Sequence, residues 1–200
     1  MPLWQIDIHP APQQLDRMGL HTADEIYQLG LGSDLTVAAA RGFLVQGEIS
    51  REQAQSVAAT LLADTVTERL VIGRVSDSVD GDSDALSEPP ESMMENLAER
   101  GVEDQPHLVH VMSKPGVMDP VAASTQSALA DSGLDAGAVK TFRKYWISGV
   151  DEAGLDAICR RALSNDSIEQ FVIGPLRMNE LGVGSEGKFE LVRVPIRSLD

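Results

Sequence analysis

Two segments, one in each half of the chain, carry apolar side chains at the helical spacing i, i+3, i+4, i+7 and i+8. The first set is Ala54, Val57, Ala58, Leu61 and Leu62, and the second set is Leu155, Ile158, Cys159, Ala162 and Leu163. This spacing predicts an amphipathic helix in both places. A short apolar run follows each helix and predicts a closing strand, over residues 69–72 in the first half and 170–173 in the second.

The second half also carries signals for an earlier strand and helix. The apolar run 108–112 predicts a buried strand. Asp119 is placed to cap a helix, Pro120 suits the first helical position, and Gly133 suits the residue that ends it. Residues 139–147 are β-branched and aromatic with no strong turn signal, so they predict either a hairpin or one bent strand.

The two halves resemble each other in sequence. Residues 62–73 align with residues 163–174 with five identities in twelve positions, and Asp16 aligns with Asp119. A fixed internal period indicates a duplicated unit. Each copy is predicted to run strand, helix, strand, strand, helix, strand. The predicted fold class is therefore α+β, with two tandem ferredoxin-like repeats (βαββαβ) that join through edge strands as an intramolecular pseudo-dimer.

This pattern divides the chain into a first copy (1–74), an acidic linker (75–105), a second copy (106–175) and an extended C-terminal tail (176–200). Residues 74–105 contain ten acidic and only two basic side chains, in a chain whose net charge is −15. Such a composition is typical of a solvated, flexible segment. Within it, residues 93–98 predict at most a short helical turn.

Composition also argues against several functional classes. An acidic chain with 4% aromatic residues lacks the basic surface and stacking platforms of nucleic-acid binders. Neither a membrane span nor a secretion signal is evident, so we expect a cytoplasmic protein. Cys159 lies on an apolar helical stripe and is expected to be a buried, unreactive thiol. His107 and His110 would point to opposite faces of a strand, so we predict no metal site, and no catalytic or cofactor-binding residues.

Two stretches of the second copy are distinctive: residues 114–120, which read Lys-Pro-Gly-Val-Met-Asp-Pro, and the basic-aromatic run 143–146. Their structural interpretation is a constrained turn and an amphipathic strand. Their functional interpretation is a partner-binding surface, since Arg, Tyr and Trp favour interfaces. The residues alone leave both open. The candidate interface residues are Lys114, Pro115, Asp119, Arg143, Lys144, Tyr145 and Trp146.

At these motifs the second copy resembles the PurS family, the small subunit of phosphoribosylformylglycinamidine synthase in purine biosynthesis. The family pattern has a Lys-Pro-Gly-Val-x-Asp-Pro turn, a helix ending near Leu-Gly, a basic-aromatic strand and an ending like Leu-x-Asn-x-x-Ile-Glu-x-Phe. These parts correspond to residues 114–120, 132–134, 143–149 and 163–171. The first copy keeps Asp16 and one proline but loses the Lys, the Gly and the second Pro, so it resembles a diverged PurS repeat.

The resemblance implies a scaffold without an active site of its own. In the family's enzyme a synthetase subunit uses ATP, magnesium and the substrate nucleotide, a glutaminase subunit releases ammonia from glutamine, and PurS bridges the two. Tandem repeats also resemble the N-terminal region of fused PurS–synthetase chains, so a continuation beyond Asp200 stays open. The alternative is a ligand-sensing regulatory pair of ferredoxin-like domains.

Overall fold

The computed structural model describes residues 1–76 and 82–182. Their strands and helices, numbered in chain order, are β1 (Leu3–Pro10), α1 (Arg17–Gln28), β2 (Thr36–Gly47), α2 (Arg51–Val57), β3 (Glu68–Val75), α3 (Asp82–Ser87), α4 (Glu91–Glu99), β4 (His107–Ser113), α5 (Pro120–Asp131), β5 (Ala136–Ser148), α6 (Glu152–Ile158) and β6 (Glu169–Ile173). Two π-helical segments, Ala58–Leu62 and Cys159–Leu163, continue α2 and α6. The predicted α+β class is confirmed.

All six strands form one antiparallel sheet in the order β3-β1-β2-β5-β4-β6. The two longest strands, β2 and β5, pair at its centre and join the two halves of the chain. Their register places Arg41 directly opposite Arg143. The strand order outward from this antiparallel pairing is the same in both halves, β2-β1-β3 and β5-β4-β6, so the sheet is symmetric about it.

Each half contains three strands, whereas the sequence predicts four. Residues 139–147, which predicted either a hairpin or one bent strand, lie in one continuous strand, β5, and the matching stretch of the first half is the continuous strand β2. Gly42 stays inside β2 with Phe142 directly opposite. A Cβ atom on Gly42 would lie 2.7 Å from the Ile6 carbonyl oxygen and would collide with the Phe142 ring. This glycine therefore permits close packing of the two halves rather than a turn.

Four helices cover one face of the sheet, which we call the helix face. The predicted apolar stripes of α2 and α6 and their π-helical continuations supply much of its core, including the buried Ala54, Leu62, Leu155 and Leu163. The helices also cross between the halves. Leu129 of α5 packs into the cluster of the first half, and Ile26 of α1 packs into that of the second, so each half contributes a helix to the core of the other.

The opposite face, which we call the covered face, lies under α3, α4 and the segment 174–182. Leu86, Met93 and Leu97 of the two helices are buried, as are Leu176 and Leu181 of the later segment. The solvated linker expected from composition is therefore not what these residues form: 82–87 and 91–99 are helices that place their few apolar side chains on the sheet. The tail residues 183–200 lie outside the described part of the chain.

None of the helices within residues 1–76 and 82–182 combines the length and the apolar character needed to cross a membrane.

Candidate functional site

The 114–120 turn connects β4 to α5, and Asp119 fixes it to the sheet. Its Oδ1 accepts the Ala122 N–H at 2.9 Å, which confirms the predicted helix cap. Its Oδ2 accepts both the backbone N–H and the hydroxyl of Thr141 on β5, at 2.9 and 2.7 Å. Because both carboxylate oxygens are used inside the chain, Asp119 positions the turn rather than presenting a free carboxylate.

The first half keeps this arrangement with one difference. Asp16 caps α1 by accepting the Gly19 N–H at 2.8 Å and reaches β2 by accepting the Ala39 N–H at 2.7 Å. Burial raises the pKa of Asp16. Burial acts in the same direction on Asp119, but the bonds from Ala122 and Thr141 hold its pKa below the usual value. Ala39 stands in the first half where Thr141 stands in the second, so Asp16 lacks the hydroxyl bond that Asp119 accepts.

The tip of the 114–120 turn is exposed. Pro115, Gly116 and Met118 are all solvent-accessible, and the Met118 side chain is 85% exposed. Gly116 has φ +84°, a conformation that favours glycine. Lys114 is half-buried, and its Nζ donates to the Asp166 carbonyl oxygen. The turn is thus a rigid projection whose lysine is tethered to the loop before β6.

Arg143 lies on the helix face and joins β5 to the end of α6 and to β6. Its Nη2 donates to the Leu163 carbonyl at 3.0 Å and to Glu169 Oε1 at 2.6 Å, while Glu169 Oε2 accepts the Asn165 N–H at 2.9 Å. Arg143 was predicted as an interface residue. Its side chain is partly exposed, but these contacts show that it also joins parts of the second half.

The first half contains the same set of contacts. We call each set, an arginine bonded to a helix-end carbonyl and to a glutamate, an arginine clamp. Arg41 Nη2 donates to the Leu62 carbonyl at 3.0 Å and to Glu68 at 2.9 Å, and Glu68 accepts the Asp64 N–H at 2.9 Å. Neither clamp was predicted from the sequence. The available signal was that an arginine and a glutamate recur at matching positions of the two halves.

Lys144, Tyr145 and Trp146 are inside the protein, with exposures of 0%, 3% and 1%. The interpretation of this run as a recognition surface is therefore wrong for all three. The strand is buried on both faces: Tyr145 packs under the helices, while Lys144 and Trp146 lie on the covered face. Trp146 Nε1 donates to the Ser87 carbonyl at 3.0 Å, so α3 covers residues that would otherwise face solvent.

The covered face holds a row of buried polar side chains, which we call the polar row: Gln5, Asp7, His9, His110 and Lys144. Lys144 Nζ donates to Asp7 Oδ2 at 2.6 Å and to the Leu86 carbonyl, and it lies 4.7 Å from the centre of the Trp146 ring. Gln5 Nε2 donates to the other oxygen of Asp7 at 2.8 Å. The ion pair joins the two halves of the chain.

Burial dominates the electrostatics of the polar row. It raises the pKa of Asp7 and lowers that of Lys144, against the attraction between the two. Burial, assisted by the positive charge of Lys144, lowers the pKa of both His9 and His110 to about 3. His9 Nδ1 and His110 Nε2 have no hydrogen-bond partner among the described residues. Both imidazoles are therefore neutral at physiological pH.

The remaining candidate residues are structural. His107 Nε2 lies 3.1 Å from the Val150 carbonyl oxygen, and His110 Nδ1 lies 3.1 Å from that of Gly174, so the two histidines contact different loops. Cys159 is buried as expected, and burial raises its pKa to about 11. Within the described residues, no three His, Cys, Asp or Glu side chains group so that they hold a metal ion.

Comparison with known families identifies the second half. Residues 107–175 match the family described as PurS, phosphoribosylformylglycinamidine (FGAM) synthase. This segment is a PurS-like domain. It begins with β4, ends just after β6 and includes the 114–120 turn and the Arg143 clamp. The match covers the second half alone, about a third of the chain. No curated protein matches the chain significantly.

The clamp of the PurS-like domain gives a first prediction. Arg143→Ala removes a charge-assisted bond to Glu169 and a bond to a helix-end carbonyl. We expect it to lower the free energy of unfolding by about 1–2 kcal/mol, measured by urea denaturation. Arg161→Ala, at an exposed arginine of the same π-helical segment, is the control and should change stability by less than about 0.5 kcal/mol. Equal effects of the two variants would contradict the clamp.

Proposed function

We propose that this chain is a non-catalytic scaffold subunit, or the N-terminal part, of phosphoribosylformylglycinamidine synthase in purine biosynthesis. It bridges the glutaminase and the synthetase and supports the transfer of ammonia between them in the cytoplasm. ATP, magnesium and glutamine are used by those partners. The observation that carries this proposal is the family match over residues 107–175, which includes every strand and helix of the second half from β4 to β6.

The first half is, in this proposal, a diverged PurS-like unit that serves as the intramolecular partner of the second. Four likenesses support it: the common element order, the aspartate that caps the first helix and binds the central strand, the arginine clamp, and the π-helical segment after the second helix. Joining the units in one chain raises their effective concentration, which favours pairing without further contacts.

We propose a narrower partner surface than the seven candidate residues. Lys144, Tyr145 and Trp146 are buried, and the partly exposed Arg143 is held by Leu163 and Glu169. The most exposed candidate residue, Pro115, lies in the 114–120 turn. Its tip carries an exposed methionine, a side chain that adapts to irregular partner surfaces. The corresponding turn of the first half lacks the lysine and the glycine. We therefore place the main partner contact on the turn of the PurS-like domain.

A matched pair of variants tests this location. Met118 is 85% exposed, and Leu15, at the corresponding position of the first half, is 66% exposed. We expect Met118→Glu to weaken binding to the synthetase or the glutaminase at least tenfold, because it places a charge in an apolar contact. Leu15→Glu should leave binding within about twofold. Neither should change the melting temperature by more than about 2 °C. Equal losses from both variants would contradict an asymmetric surface.

The function itself is tested by co-purification. The full chain is expected to bind the synthetase and the glutaminase of the same organism in the presence of glutamine and nucleotide, and glutamine-dependent FGAM synthesis should require it. Ammonia-dependent synthesis, which bypasses the transfer step, should require it much less. The proposal fails if the chain binds neither partner and glutamine-dependent synthesis proceeds without it.

A further inference from the structure

The covered face is where the two halves are least alike. Because Arg41 and Arg143 make the same contacts and face each other, the residues that follow them occupy matching positions: Gly42 in the first half and Lys144 in the second. One strand further out, Asp7 pairs with Gly42 and His110 pairs with Lys144. His110 therefore occupies in the second half the position that Asp7 occupies in the first.

The first of these differences is steric. Phe142 of β5 lies opposite Gly42, and its ring fills the space that a side chain at residue 42 would take. If two second halves paired in the same register, Phe142 of one would face Lys144 of the other. The Cβ of that lysine would enter the space occupied by the ring. The second half thus requires a glycine that only the first half provides.

The second difference is electrostatic. Lys144 is fully buried, and its carboxylate partner is Asp7 of the first half at 2.6 Å. In a pair of second halves, histidine would stand where Asp7 stands, and two buried lysines would lack a counter-ion. In a pair of first halves, Gly42 would face Ala40, no ring would fill the space, and two buried Asp7 carboxylates would lack a cation. A buried charge without a partner is strongly unfavourable.

We infer that the covered side of the β2–β5 pairing is a specificity surface that accepts only the unlike half. A pair of second halves is disfavoured by a steric clash and by buried charges without partners, and a pair of first halves by an unfilled space and by buried charges without partners. Such repulsive elements are how paired surfaces discriminate between similar partners. A consequence is that β2 of one chain does not pair with β2 of another, nor β5 with β5. The two unlike halves of one chain therefore pair with each other.

The steric part is tested in the intact chain by a glycine pair. Gly42→Ala is expected to lower the folding equilibrium constant by roughly 10- to 100-fold, measured by urea denaturation. Gly137→Ala is the matched control, since a Cβ at this glycine of β5 has no neighbour closer than 3.7 Å. In a Phe142→Ala background the collision with the ring is removed and only the contact with the Ile6 carbonyl remains, so Gly42→Ala should lower the folding equilibrium constant by a factor at least about threefold smaller. Equal losses from both glycines, or the same Gly42→Ala loss in both backgrounds, would overturn this part.

The pairing preference is tested by separating the halves. A protease site is introduced between Ser76 and Asp82, the folded protein is cut, and the cut chains are unfolded, refolded and examined by native mass spectrometry. Like pairs should make up less than about a tenth of all pairs, against half for indifferent pairing. Like pairs near half of the total would overturn the inference. If the cut halves do not refold, the Gly42→Ala and Gly137→Ala measurements in the intact chain, with and without Phe142→Ala, test the inference.

Discussion

Replacing Lys144 with alanine is expected to lower the free energy of unfolding by about 3–5 kcal/mol. The variant leaves Asp7, which is 1% exposed, without its cation on the covered face. It also removes the donor to the Leu86 carbonyl and the side chain that packs against the Trp146 ring. The loss therefore combines an uncompensated buried group, an unsatisfied carbonyl and a cavity, which makes it larger than the loss of a surface ion pair.

Urea denaturation monitored by tryptophan fluorescence measures this loss, and two further variants identify its cause. Arg160→Ala removes exposed contacts to Asp156, Asp166 and the Phe171 ring, and it should destabilise the protein much less than Lys144→Ala. Lys144→Met combined with Asp7→Leu replaces both charges with apolar groups and should restore most of the lost stability. A Lys144→Ala cost no greater than that of Arg160→Ala would show that the pair contributes little.

Local patterns predicted the parts of this fold that depend on neighbouring residues. Asp119 caps α5 and Pro120 opens it, because both effects act within one helical turn. Gly133 ends the helix with φ +78°. Most residues of the two apolar stripes face the sheet, since a period of 3.6 residues defines one side of an α-helix. Leu61 is an exception at 44% exposed, and it lies in a π-helical segment where that period does not hold.

The environment of Lys144 was not accessible from the sequence. A lysine beside an arginine and two aromatic residues is typical of an amphipathic strand with a solvated face, and its counter-ion, Asp7, lies 137 residues away. The helices of the acidic linker were likewise not predicted from its composition. Its composition is that of a solvated segment, yet Leu86, Met93 and Leu97 supply enough apolar surface for two short helices to cover the sheet. A short helix needs few apolar residues when it packs against the surface of a sheet.

The stability of the protein is expected to fall steeply as the pH drops below about 6.5. His9 and His110 have pKa values lowered to about 3 in the folded state, first by burial and then by Lys144, with Arg69 adding to the effect at His9. In the unfolded chain both titrate near 6.5, so between these values the unfolded state binds protons that the folded state does not. Each histidine then costs about 1.4 kcal/mol per pH unit, or roughly 2 kcal/mol at pH 5. The lowered pKa of Asp119 acts in the same direction at lower pH, whereas the raised values at Asp7 and Asp16 oppose it.

Urea denaturation at a series of pH values from 7.5 to 5 measures this slope, and single variants assign it. His9→Gln and His110→Gln are each expected to remove about half of the pH dependence, even where the substitution itself changes stability at pH 7. His21→Gln is the control, because His21 is exposed on α1, and it should leave the slope unchanged. The double variant His9→Gln and His110→Gln should have nearly constant stability over this range. A wild-type protein equally stable at pH 7 and pH 5 would show that the two imidazoles become protonated in place, and that the polar row reorganises to accept their charge.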